Sequence, residues 1–394
     1  MIAIFQGILG CVLMDTGTIL FKKQNILAEL VKKTRLFAEN LVCIDIGFRN
    51  IKVLESKIWD GKDVFIRDYG IVATPRGCIK NGAISDVSKV VYAIEKVLQE
   101  NRIKTKNTKI VMSGTSIITR VLIVEIPHHS DKKSAIEHSI AENIPVNMEN
   151  YQLNYKVLEE SHRANTVMLK VFVTVVRKSI IKSYVDVVRG LGLKPLSIDI
   201  PSNSIAKFFR REINVDRVPR KPHQIENNVF AVLDFGSETT IVNIFKDKVL
   251  EFNRVVLLGS SNIDEIIARA LDRSIEESER LKKMYGIASL GFNPSPDQKA
   301  MYEPVKSFID KIVTQIKLCF EFYVKRCYGQ PVSQIYVIGG GSLLKGLLEY
   351  LQDALDVPVY PIGLLSIDNI EIDPKLDVGR LNYLINSIGI ALDA

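Results

Sequence analysis

Apolar residues along this chain gather in short runs rich in Val, Ile and Phe, broken by polar turns, and two of these runs repeat one pattern. Leu41 to Glu55 reads LVCIDIGFRNIKVLE, and Phe230 to Phe245 reads FAVLDFGSETTIVNIF. Each has an apolar β-type run, then Asp-x-Gly, a short polar turn and a second β-type run, which predicts a hairpin of two buried strands. Asp45 and Asp234 lie 189 positions apart, far too long for a solenoid repeat and suited to a duplicated domain. In the first copy a third strand is expected near Phe65–Ala73 and a helix at Val87–Glu100. In the second copy the third strand falls near Val249–Leu257, followed by helices at Ile263–Leu271 and Ile275–Tyr285.

A different pattern fills Thr108 to Leu193. It predicts a strand (Ile118–Ile126), a helix (Asp131–Asn143), strands (Tyr151–Leu158 and Met168–Val176) and a helix (Ser179–Gly190). Asp131 and Ser179 are the expected N-caps. This block is an α+β insertion of two helices and about three strands. Arg210 to Asn228 is charged, carries Pro219 and Pro222, and is expected to be an exposed linker. Gly291 to Pro296 is another loop. Gln334 to Gly341 reads QIYVIGGG, a strand running into glycines, with a helix expected at Leu343–Leu355 and a last helix at Arg380–Leu392.

Composition changes this picture little. The chain has 394 residues, enough for two packed lobes, with 47% hydrophobic and 25% charged residues. A net charge of +7 is mild for this length and does not call for nucleic acid, since Lys and Arg are not clustered with aromatics. The five cysteines, Cys11, Cys43, Cys78, Cys319 and Cys327, form no C-x-x-C pair. That argues against a zinc site or a disulfide framework and suits a reducing cytosol. Met1 to Leu13 is apolar but too short to span a bilayer, which takes about 20 residues. Lys22 to Arg35 sets five basic residues against Ile26, Leu27, Leu30 and Val31 on one helical face. It reads either as a peripheral membrane or partner helix or as a poorly ordered extension, and no transmembrane helix is expected.

The two Asp-x-Gly turns carry the candidate chemistry. A glycine after a strand lets backbone N–H groups approach a phosphate. An Asp at the strand end can hold a hydrated Mg²⁺ against it. Alone, Asp-x-Gly is a common turn; two in matched strand context, facing across a cleft, would grip a nucleotide tail from both sides. Lys52, five residues after Gly47, can reach back to a phosphate or simply be a solvated strand lysine. Ser237, Thr239 and Thr240 offer hydroxyls to phosphate or to their own turn. Gly339-Gly340-Gly341-Ser342 leaves room for a flat ring or ribose beside a helix N-terminus. It matches neither the dinucleotide fingerprint nor the Walker A string.

Two strand–Asp-x-Gly hairpins followed by a strand–triple-glycine–helix, in that order, resemble the actin-like ATPase superfamily. The resemblance implies an α/β, two-lobed fold of duplicated ribonuclease-H-like domains, with the α+β insertion in the first lobe. It places residues 1–39 as an extension, 40–228 as the first lobe with the insertion at about 108–193, 229–376 as the second lobe, and 377–394 as a helix returning to the first. It makes Asp45, Gly47 and Lys52 the first phosphate loop, Asp234, Gly236, Ser237 and Thr239 the second, and Gly339, Gly340, Gly341 and Ser342 the adenosine loop. Glu279 and Lys282 fall at the purine pocket. ATP and Mg²⁺ are the implied ligands, with Asp45 and Asp234 holding the metal through water.

Within the superfamily, Ile144-Pro145 with Tyr151–Leu158, the positions Gly114, Ser116 and Arg120, and Leu193-Lys194-Pro195 with Ile198-Asp199 resemble the type IV pilus assembly family PilM. That resemblance covers about Asn40 to the end. It implies a cytoplasmic protein at the inner membrane that docks the short N-terminus of the membrane partner PilN. The chain departs from the family at Phe48, Arg49 and Asn50, where small hydroxyl residues usually stand. An FtsA-like division filament and a sugar-kinase-type phosphotransferase are the competing readings. For the latter, no acidic base in a sugar-binding context is visible, and His128 and His129 beside Pro127 read as exposed turn residues. The resemblance implies ATP binding with at most slow hydrolysis, and no catalytic residue is assigned.

Overall fold

The computed structural model describes residues 38–59, 63–128, 130–147, 149–210, 213–214, 229–288, 290–291, 293–327, 329–362, 366–367 and 370–392. The expected Lys22–Arg35 helix and most of the expected linker lie outside the described residues.

Two sheets repeat one topology. In the first, β1 (Ala38–Ile46), β2 (Asn50–Trp59) and β3 (Asp63–Ala73) form an antiparallel meander. After α1 (Val87–Glu100) the chain adds β4 (Asn107–Met112) parallel to β1. In the second, β9 (Val229–Phe235), β10 (Thr240–Lys246) and β11 (Val249–Val256) form the same meander. Here β12 (Gln334–Ile338) lies parallel to β9. A fifth parallel strand follows each, β8 (Lys194–Asp199) beside β4 and β13 (Val359–Pro361) beside β12. β14 (Ile370–Ile372) then extends the first sheet beyond β3. β1 and β9 are central, and both are covered on the two faces: Leu41 to Ile46 and all of Val229–Phe235 are buried. That explains their near-continuous apolar reading.

The Thr108–Leu193 block divides, which corrects the expected insertion boundaries. β5 (Ile118–Pro127), β6 (Tyr151–His162) and β7 (Thr166–Arg177) form a separate sheet of order β5-β7-β6. One helix, α2 (Lys132–Asn143), covers it through Ile136 and Ile140. Its neighbours β4 and α3 (Lys178–Gly190) belong to the first lobe instead, because Ile110, Val111, Tyr184, Val187 and Val188 are buried in the first-lobe core. Asp131 caps α2, its side chain accepting from the Ser134 N–H at 2.9 Å. Ser179 does not cap α3. β7 runs straight into the helix, Arg177 takes the cap position, and the Lys178 N–H is satisfied by the Asn150 carbonyl at 2.9 Å.

The second lobe is completed by α5 (Ser260–Leu271), α6 (Ile275–Tyr285), α7 (Pro296–Arg326) and α8 (Leu347–Leu355). α7 has no counterpart among the sequence-predicted elements. It buries Met301, Val305, Phe308, Ile309, Ile312, Val313 and Ile316, a helical spacing. Pro304 masks that signal. It is tolerated because it and Ala300, whose carbonyl loses its donor, are both exposed.

The lobes are joined by α4 (Pro201–Phe209). Phe209 stands against Phe230, Phe245 and Tyr336 of the second sheet, with ring centroids 5.3, 5.8 and 5.7 Å away. The last helix, α9 (Leu381–Ala391), crosses α4 at Gly389, where a Cβ would sit 2.1 Å from the Ser204 carbonyl oxygen. The insertion also reaches the second lobe. Lys170 bridges Glu251 at 2.5 Å and Glu159 at 2.8 Å. Thr119 donates to Asn253, whose amide in turn donates to Ser202 and Asn243 at 2.7 Å each.

Candidate functional site

Each hairpin places its carboxylate at the C-terminal end of a central strand, where a doubly wound sheet opens a crevice. In the first, the Gly47 N–H donates to the Asn50 carbonyl at 3.1 Å; in the second, the Gly236 N–H donates to the Thr239 carbonyl at 2.9 Å. A Cβ on either glycine would stand 2.9 Å from that same carbonyl, so the two turns need glycine for one reason. The second turn is fastened from behind. N–H groups at the start of α5 donate to it, Ser260 to the Gly236 carbonyl at 3.0 Å and Ser261 to the Ser237 carbonyl at 2.8 Å. The helix thereby satisfies its otherwise orphaned donors.

The hairpins face one cavity of about 430 Å³ between the lobes, a size ordinary for a small-ligand site. Asp45, Gly47, Lys52, Asp234, Gly236, Ser237, Thr239, Glu279, Lys282, Gly339, Gly340 and Gly341 all line it. Ser342 does not. Its hydroxyl turns back to donate to the Gly339 carbonyl at 2.7 Å, and the residue is buried. The expected helix at Leu343–Leu355 also starts later. A 3₁₀ turn spans Gly340–Leu343, and α8 begins only at Leu347 because Gly346 takes a left-handed φ of 77°. A Cβ on Gly346 would meet Ala288 at 2.6 Å, and one on Gly286 would meet the Lys345 carbonyl at 2.4 Å, so these glycines dock the loop after α6 onto the glycine turn. The triple glycine is a packing device as well as an open wall. At Gly339, with φ 83°, a Cβ would lie 2.4 Å from Asp234 Oδ1, and at Gly341 one would lie 2.6 Å from the Phe235 ring.

The electrostatics are lopsided. Lys52 donates to Asp45 Oδ2 at 2.9 Å, while Asp45 Oδ1 is buried with no hydrogen-bond partner. Asp234 is also buried, and its contact is neutral: the Asn386 amide of α9 donates to its Oδ2 at 3.2 Å. Burial pushes the Asp234 carboxyl above the ordinary carboxylate range; the Asn386 hydrogen bond and Lys52 only partly offset this, and the charge on Asp45 adds to it. On the α6 side, Lys282 pairs with the buried Asp264 at 2.8 Å and donates to the Ser260 carbonyl at 3.0 Å. Burial raises Asp264 and lowers Lys282, and the attraction between the two offsets each shift only in part. Glu279 is held by Arg49 from the first hairpin and by Lys283 at 2.8 Å.

Sequence reasoning missed Asn386, Tyr383 and Glu238, which also line the cavity. Glu238 sits inside the second motif and was open to inspection; Asn386 lies 152 residues from Asp234 and carries no local signal. His128 is exposed and contacts the Arg163 carbonyl at 2.9 Å, away from the cavity lining.

The residues present fit a phosphate-bearing ligand with a divalent cation. The fit rests on an orphaned buried carboxylate oxygen, a second buried carboxylate facing no cation in its own hairpin, and backbone cradles that a Cβ would fill. Among the described residues no group of three or more His, Cys, Asp or Glu is placed to hold a metal directly. Any cation here would be carried largely on water.

Residues 43–393 match the family described as type IV pilus assembly protein PilM. The chain belongs to the PilM family. A PilM-PilN type IV pilus biogenesis complex is among its structural neighbours, at 22% identity and a TM-score of 0.72, covering 89% of this chain and 97% of that one. The ethanolamine utilization protein EutJ of Carboxydothermus hydrogenoformans is another, at 15% identity and a TM-score of 0.49, covering 94% and 97%. Cell division protein FtsA of Bacillus subtilis (strain 168) is 24% identical over 274 residues, 64% of this chain; the match spans 59% of FtsA. The PilM-family fold here is the actin-like ATPase fold, with its cavity between two like sheets.

Proposed function

We propose that this PilM-family chain binds ATP with Mg²⁺ between its lobes and uses it to set the arrangement of a scaffold in type IV pilus assembly. The observation that carries the reading is the convergence of both Asp-x-Gly turns and the Gly339 turn on one cavity. Lys52 and the Gly47 and Gly236 turns would hold phosphates. Asp45 and Asp234 would hold the cation through water, and the Gly339–Gly341 turn would border the nucleoside, with Glu279 and Lys282 on the α6 side. The bound nucleotide supplies negative charge that the buried carboxylates alone repel, and the cation reconciles the two.

The partner in this reading is a PilN-type inner-membrane protein, the class present in the solved complex that the chain resembles. Its N-terminal peptide would dock between the insertion and the first lobe. β6 and β8 are both sheet edges, and their Lys156 and Asp199 lie within electrostatic reach of each other. An extended peptide can add to such an edge. No helix of the described residues is long and apolar enough to cross a membrane; the partner would hold the protein at the cytoplasmic face and tie the platform to the motor.

Calorimetric titration of ATP·Mg²⁺ into the protein and into Asp234→Ala tests the cavity. Binding by the intact protein that is lost in the variant is the expected result; equal binding by both overturns the assignment. A PilN-type N-terminal peptide that binds the apo and ATP-loaded protein equally would refute the coupling, because only differential affinity shifts an equilibrium.

A further inference from the structure

The two lobes meet in two chemically different ways. At the cavity floor, where Ile200, Pro201 and Ser202 line it, α4 carries Phe209 into the aromatic seam with the second sheet. At the rim the lobes are held by charge. Arg49, two residues after Gly47, pairs with Glu279 of α6, and Arg76, in the loop after β3, pairs with Glu276 of the same helix. Glu276 and Glu279 are three residues apart and therefore share a helix face. The inner pair lines the cavity and is the more buried, with side chains 33% and 23% exposed; the outer pair is 68% and 59% exposed and stands outside the lining. A close-packed apolar seam resists separation, whereas exposed ion pairs trade partners with water or another anion at little cost. Of these two contacts, the rim is therefore the one that parts more easily.

We propose that these two ion pairs form a latch over the cavity mouth, and that a phosphate-bearing ligand releases it by taking Arg49 from Glu279. Three observations support the exchange. Arg49 shares a cavity and a hairpin with Lys52, so a rotated guanidinium stays within the site. Its planar fork suits phosphate oxygens, and it sits two residues after Gly47, on the turn that lines the cavity. Glu279 is not stranded when Arg49 leaves, because Lys283 remains on it at 2.8 Å. The Arg76–Glu276 pair breaks and re-forms as the ligand passes and sets the exchange rate. The inference rests on the nucleotide reading above and deepens it by naming a further phosphate ligand and a gate.

Two measurements separate the parts. Hydrogen exchange in residues 275–285 of the ligand-free protein reads the latch without nucleotide. Stopped-flow fluorescence with N-methylanthraniloyl-ATP and Mg²⁺ reads gating. Glu276→Gln should raise exchange in this helix and speed both association and release roughly two- to fivefold, leaving Kd nearly unchanged. Arg76→Glu should do the same, and adding Glu276→Arg to it should restore the wild-type rates. Arg49→Ala should weaken binding about tenfold, with partial rescue in Arg49→Lys. Unchanged exchange and rates in Glu276→Gln, or full affinity in Arg49→Ala, overturn the proposal. A wild-type protein that takes up no labelled nucleotide sinks the nucleotide reading and the ligand role of Arg49; raised exchange in Glu276→Gln would then still support the latch between lobes.

Discussion

In the first hairpin Asp45 faces Lys52 across the antiparallel register; in the second, Asp234 holds the same register position and faces Ile241. Turn geometry, glycine position and parallel neighbour strand agree between the copies. The charges do not. The first turn carries Arg49 where the second carries Glu238, and Lys52 is the cation whose field reaches both aspartates. Duplication has kept the backbone device while leaving two buried carboxylates to share one lysine. A cavity with that surplus of negative charge near its floor suits a ligand that brings its own metal ion, and the second lobe is the half that needs it.

Removing the shared lysine should have the largest effect. Lys52→Met leaves Asp45 buried and uncompensated and should cost about 3 kcal/mol in denaturant unfolding; nucleotide binding should vanish with it. A loss well under 1 kcal/mol would mean that the two hairpins do not depend on this cation.

Asp234→Asn should act in the opposite direction on the apo protein. The folded-state carboxyl is raised above its unfolded value, mainly by burial, so folding favours proton uptake by this group. The stability it permits is fully present below the ordinary Asp range and is lost as pH rises through the raised value. The variant should remove that fall, raise the apo Tm near neutral pH by at least ~2 °C, and abolish the further rise produced by ATP·Mg²⁺. A lower apo Tm would show that Asp234 is stabilised by something other than its neighbours in the cavity.

The smallest effect is expected from making the copies alike. Ile241→Lys places a second cation opposite Asp234. It should reduce the dependence of nucleotide affinity on Mg²⁺ by a few-fold, read by titration at high and low metal. Unaltered metal dependence would mean that the register equivalence has no electrostatic consequence.

The hairpins were legible because their signals are local. A β-type run, Asp-x-Gly and a second β-type run specify strand, turn and strand within sixteen residues, and the repeat identifies two copies. The insertion was visible as a break in pattern, yet its limits were not: β4 and α3 join the first lobe through buried contacts that strand and helix propensity do not encode. α7 was hidden by Pro304, whose penalty depends on whether the freed carbonyl faces water. Glu279 and Lys282 were placed by resemblance. That one pairs with Arg49 from the other lobe and the other with Asp264 follows from chain separation that sequence cannot measure.

By itself, the sequence determined what nearest neighbours along the chain can decide: the strand–glycine–strand turns, the carboxylate at the end of each, the triple glycine after a third strand, and the duplication that ties them to one family. Tertiary structure alone decided which charges meet. It set one lysine between two aspartates, brought Asn386 onto Asp234 from 152 residues away, turned Ser342 out of the cavity lining and closed the rim with Arg49 and Arg76. Coulomb energy and desolvation depend on distance and burial in space, and these exist only once both lobes are folded against each other.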